Sequence, residues 1–121
     1  MLKKSVLKQS EAQATIENPT NAAEFAQRGW NHYSKKEYYR AEADFRKALE
    51  CTPDHPDYLY ALAMSLQASG RPQEAVQAFE QTIQQMKEPD DENQVRYLMM
   101  TRLAQGHINR IRTGEWHLDV T

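Results

Sequence analysis

Four histidines and one cysteine are the side chains of this 121-residue sequence best suited to chemistry. Imidazole moves protons near neutral pH, and both imidazole and thiolate bind zinc. Their spacing points elsewhere. His32, His55, His107 and His117 contain no i, i+4 pair of the kind a helical zinc site uses, and the single Cys51, four residues before His55, supplies no cysteine pair to complete one. A single cysteine forms no intramolecular disulfide, and Cys51 reads as a small core side chain near a helix end. The chain has no G-x-S-x-G, phosphate-binding loop or G-x-G-x-x-G. Its carboxylates fall at helix starts and on solvent faces, so no constellation of acid, base and nucleophile converges. These residues indicate a chain that is not an enzyme, with no cofactor, no metal and no small-molecule substrate.

Charge and hydropathy narrow the class further. Fifteen basic residues balance 17 acidic ones for a net charge of −2, and the signs are interspersed. That argues against a dedicated nucleic-acid binder. Arg96, Arg102, Arg110 and Arg112 do enrich the last helix, but at about 100° per residue they scatter around it. Asp90, Asp91 and Glu92 crowd its start, so the pattern is complete as acids and bases placed along a helix dipole. No apolar run is long enough to span a membrane. The first eight residues are basic without the apolar core of a secretory signal, and a cytoplasmic location is expected.

The element pattern repeats at an offset of 34 residues. Phe25, Gly29, Tyr38, Ala41, Phe45 and Ala48 return as Leu59, Ala63, Pro72, Ala75, Phe79 and Thr82. Small residues return on small ones and the large aromatic on an aromatic, as stacked helical hairpins require. Gly29, Ala41, Ala63 and Ala75 let helix backbones approach, and Phe45 and Phe79, one turn beyond the alanines, fill the gap between hairpins.

The signals along the chain give boundaries. Residues 1–20 are a polar lead, either disordered or a short helix, ended by Pro19. Asn21 with Glu24 reads as a capping box opening a helix to about residue 34. A second helix over 38–50 stops before Pro53, a third starts at Pro56, Gly70 marks the next reversal, and a fourth ends near residue 87. Together 21–88 make two hairpins. Asp91 with Gln94 resembles another capping box, and 89–113 is expected to hold one long closing helix running through Gly106 to a stop at Gly114. Val95, Leu98, Met99 and Leu103 are its expected packing face. The tail 114–121 is expected to fold back, with Trp116 on this helix or on a partner.

The spacing resembles the tetratricopeptide repeat, W-x2-L-G-x2-Y then A-x3-F then P. Here it runs Phe25-x2-Arg28-Gly29-x2-His32, then Ala41-x3-Phe45, then Ala48 and Pro53. Arg28 and His32 depart from the Leu and Tyr of the pattern. The second copy fits every apolar slot with Leu59, Leu62, Ala63, Leu66, Ala75 and Phe79. The resemblance implies an all-α fold, an α-solenoid of antiparallel helical hairpins, whose first helices line a concave groove. It places Ala23, Ala26, Trp30 and Tyr33 beside Asp57, Tyr60, Met64 and Gln67, with Asn93, Arg96 and Met100 extending the row.

Ala26, Trp30, Tyr33, Tyr60, Met64, Gln67, Arg96 and Met100 are therefore the expected peptide-binding residues. Trp30 carries most weight, because its neighbours fill the core slots and leave the indole to the groove or to a covering terminus of the same chain. Aromatic and Met side chains are what recognition surfaces concentrate. The Lys and Asn with which related domains clamp acidic chaperone tails are replaced here by Ala26 and Trp30. The partner is expected to be a protein or peptide segment, within a homo-oligomer or a larger complex. The role is that of an adaptor, assembly factor or small complex subunit. The alternatives are a secretion-type chaperone cradling extended cargo, or an accessory protein whose arginine-rich last helix meets an acidic or nucleic-acid partner.

Overall fold

The computed structural model describes residues 16–116, and all regular structure among them is helical. Five helices follow one another: α1 (Ala22–Ser34), α2 (Tyr38–Cys51), α3 (Pro56–Ala68), α4 (Pro72–Gln85) and α5 (Gln94–Thr113). α1 packs on α2 and α3 on α4, while α2–α3 and α4–α5 contacts join successive hairpins. α1 also touches α3, so the first helices of the hairpins share one layer and the second helices the other. The chain is an all-α solenoid of antiparallel hairpins. The lead at 1–15 and the tail at 117–121 lie outside the described residues.

Local chemistry sets the boundaries. Asn21 Oδ1 accepts the Glu24 N–H at 2.9 Å, but the Glu24 carboxylate turns to the N–H and hydroxyl of Thr20 instead of closing the box on Asn21. Pro56 opens α3, with His55 Nδ1 accepting the Asp57 N–H at 3.2 Å. The reversals within the two hairpins use Lys36 at φ 63° and Gly70 at φ 82°, the same position one repeat apart. Only glycine holds that left-handed conformation without a Cβ penalty. The closing helix starts at Gln94, two residues later than expected: Asp90 Oδ1 accepts the Asn93 N–H in a turn that precedes it, and no side chain caps the helix itself. It runs unbroken through Gly106 and stops at left-handed Gly114, whose N–H donates to the Arg110 carbonyl at 2.7 Å.

Phe45 and Phe79 are fully buried, as are Ala41, Ala48, Ala75 and Thr82. A Cβ on Gly29 would lie 2.7 Å from the Phe45 ring, which is why the first hairpin needs a glycine there. Two expectations are corrected. Cys51 ends α2 exposed to solvent and belongs to no core. Val95, Leu98, Met99 and Leu103 are not the packed face of α5, for they are 72, 56, 61 and 44% exposed. Ala104, Ile108 and Ile111 enter the core with Val76 and Phe79 instead. Ala104 explains the choice, since a methyl side chain lets α5 approach α4 more closely than Leu or Met would.

The first hairpin carries charge where the second is apolar. Arg28 donates to both carboxylate oxygens of buried Asp44, at 2.9 and 2.8 Å, and to the Glu17 carbonyl at 2.9 Å. His32 lies between Glu37 at 2.8 Å and Asp44 at 3.7 Å. One repeat later the same positions hold Leu62, Leu66 and Ala78, all buried. Thus the two departures from the repeat pattern, Arg28 and His32, are matched by a third, Asp44.

Candidate functional site

The exposed side of the first-helix layer is built from aromatic side chains at helical spacing. On α1, Trp30 and Tyr33 meet edge to face with centroids 5.3 Å apart. Trp30 also rests edge-on against Phe45 at 5.0 Å, and Tyr33 against Tyr38 at 5.2 Å. Such edge-to-face contacts suit the positive rim and negative face of aromatic rings and fix the indole's tilt. Trp30 nevertheless remains 40% exposed, so it offers a partner about as much surface as it gives the core.

α3 continues the row. Tyr60 packs edge-on to Phe79 at 5.6 Å, and its hydroxyl shares a 3.2 Å hydrogen bond with His107 Nε2 on α5. Burial pushes the Tyr60 phenol above its ordinary pKa, and the neighbouring Tyr33 pushes it further, as expected across the α1–α3 seam. Tyr33 is likewise raised, first by burial and then by Tyr38. Both phenols therefore stay neutral donors at physiological pH. Met64 and Gln67 lie half-buried on the same helix.

The other expected residues are distributed less simply. Ala26 is buried in the core and can only form the floor beneath Trp30. Asn93 occupies the N-cap position of α5 without a side-chain capping bond, and Met100 is half-buried on the helix. Arg96 is ion-paired with Asp57, tying the start of α5 to the start of α3. Ala23 is exposed one turn before Ala26.

His107 and Trp116 also join this surface, and their role was not apparent from the repeat spacing. The His107 ring stacks on Phe79 with an interplanar angle of 4° and meets Trp116 edge to face at 4.7 Å. Gly106 makes room for that indole, since an added Cβ would collide with it. The available signal was Gly106 itself: like Gly29, it is a helical glycine with an aromatic seated on it. Burial, and after it the charge of Arg110, lowers the His107 pKa. The Nδ1 atom is buried with no hydrogen-bond partner among the described residues.

Two family models described as tetratricopeptide repeat match the chain, one over residues 25–55 and the other over 45–77. Their combined span runs from α1 into α4. No curated protein and no solved structure matches.

Proposed function

Because the chain belongs to the tetratricopeptide-repeat family, whose repeats are protein-interaction modules, we propose that it binds a polypeptide segment along the aromatic row of α1 and α3. The half-exposed indole of Trp30, continuous with Tyr33 and Tyr60, is the observation that carries this reading. Met64 and Met100 extend the apolar floor, the Gln67 amide adds a polar group beside it, and an apolar strand or helix is the ligand it suits. Arg96 supplies a charge at the edge, shared with Asp57. An adaptor, an assembly factor or a chaperone for extended cargo would all use this surface.

An acidic or nucleic-acid partner on the arginines of α5 has less support. Arg96 is held by Asp57 and Arg112 by Glu80 at 2.8 Å, which spends half of that charge within the fold. Affinity capture with wild-type protein and with Trp30→Ala, followed by calorimetry on the recovered partner, tests the reading. Trp30→Ala is expected to weaken binding by about 2 kcal/mol or more, near thirtyfold. Undiminished binding by this variant removes the proposal.

A further inference from the structure

In each hairpin the first helix is packed by an antiparallel second one, α1 by α2 and α3 by α4. α5 packs on α4, but no helix follows it among the described residues. On its outward side Val95, Met99 and Leu103 recur every fourth residue with Leu98 flanking them, so the four exposed side chains form one stripe. Gly106 continues the stripe beneath Trp116, whose indole is itself still exposed. Four large apolar side chains and an indole along one helix are more than a soluble monomer ordinarily leaves in water.

The charges around the stripe identify what covers it. Asp90, Asp91 and Glu92 precede its first residue, whereas Arg102, one turn after Leu98, and Arg110, two turns after Leu103, flank its other half. Arg96 and Arg112 are paired within the fold, but Arg102 and Arg110 have no ion-pair partner among the described residues. The complement of this surface is an apolar helix that is acidic at one end and basic at the other, laid in the reverse direction. α5 is such a helix. We propose that a second copy of the chain covers the stripe, the two α5 helices packing antiparallel about a two-fold axis near Met99. Met99 then meets Met99 of the second copy, and Val95 meets the second copy's Leu103. One turn beyond Val95, Asp91 and Glu92 come opposite the turn between Arg102 and Arg110 of the second copy. Parallel pairing would instead set acids against acids and arginines against arginines, which is costly. The antiparallel order also aligns the two helix dipoles favourably. Each α5 thereby gains the antiparallel neighbour that α1 and α3 already have. One helix face is a small interface, so association in the micromolar range is expected.

Sedimentation equilibrium on the full chain tests this. Wild type should pass from monomer to dimer as concentration rises, and Met99→Glu, which places two like charges at the axis, should associate at least tenfold more weakly. Met99 is exposed, so the helicity of that variant should equal that of wild type. Cysteine cross-linking reads the direction of pairing independently. Val95→Cys mixed with Leu103→Cys, both carrying Cys51→Ser, should form a disulfide between the two variants in preference to one within either. A chain that stays monomeric up to about 1 mM would overturn the proposal, since the stripe would then be bare or covered by another part of the chain or another protein. So would a dimer indifferent to Met99→Glu, or cross-links formed only within each variant, which would mean a parallel pair.

Discussion

Asp44 is a carboxylate buried inside a helical hairpin, and its stability depends on Arg28 reaching it with two N–H donors. Arg28→Ala leaves that charge with no hydrogen-bond donor closer than the His32 ring, 3.7 Å away, and should cost about 3–5 kcal/mol, read by urea denaturation. The double change Arg28→Leu with Asp44→Ala copies Leu62 and Ala78 of the second hairpin and should cost far less than the single change. Equal losses would mean the pair is incidental. Lys36 offers the opposite kind of test. It adopts φ 63° where Gly70 stands one repeat later, so Lys36→Gly should raise stability by about 1 kcal/mol. A lowered melting temperature would contradict the strain argument. His107 carries a pH prediction. Burial and Arg110 lower its folded pKa, so the unfolded chain takes up the proton more readily. Its contribution is therefore complete above about pH 6.5 and lost as pH falls through the unfolded value toward the lower folded one. Melting temperatures should decline over that window more steeply for wild type than for His107→Phe; parallel profiles would refute the assignment.

At the scale of elements, the closing helix bears on the stability of everything before it. His107 stacks on Phe79, Ala104 and Ile108 are buried with the second hairpin, and Arg112 reaches Glu80. A chain ending at Lys87 loses all of these at once and exposes the side of α4 that they cover. It should unfold at lower temperature and with a broadened transition; a melt as high and as sharp as that of the full chain would show α5 to be dispensable. The same helix marks where the sequence was hardest to read. The hairpins were legible because Gly29, Ala63, Ala41, Ala75, Phe45 and Phe79 each permit one arrangement, a small residue beneath a large ring. On α5 two apolar stripes coexist, Val95–Met99–Leu103 and Ala104–Ile108–Ile111. Helical periodicity is satisfied by either stripe. What decides is the close approach to α4 that Ala104 allows, a tertiary fact that spacing alone does not contain. Arg28 and His32 looked like defects in the repeat for the same reason: their compensating Asp44 lies on the other helix.

For the whole molecule, the layered order of helices turns separate side chains into one surface. Trp30, Tyr33, Tyr60, His107 and Trp116 come from α1, α3, α5 and the segment after α5, yet contact or adjoin one another in sequence across the first-helix layer. Of this row the repeat spacing placed Trp30, Tyr33 and Tyr60, whereas His107 and Trp116 depended on how α5 packs. The net charge of −2 sets no strong field, and Arg96 and Arg112 are already paired, so recognition here should be governed by apolar burial. That has a measurable consequence. Raising salt from about 50 to 200 mM should change the affinity for a polypeptide partner by less than about threefold, whereas a phosphate-binding mode with several contacts would lose orders of magnitude. Trp30→Ala should separate the two contributions of the indole. Its contacts with Phe45 and Tyr33 are worth about 0.5–1.5 kcal/mol each, so the free protein should lose roughly 1–3 kcal/mol while staying folded. Binding should fall by about 2 kcal/mol or more on top of that. If instead the variant binds as tightly as wild type and only its melting temperature drops, Trp30 serves the core and the recognition surface lies elsewhere on the stack.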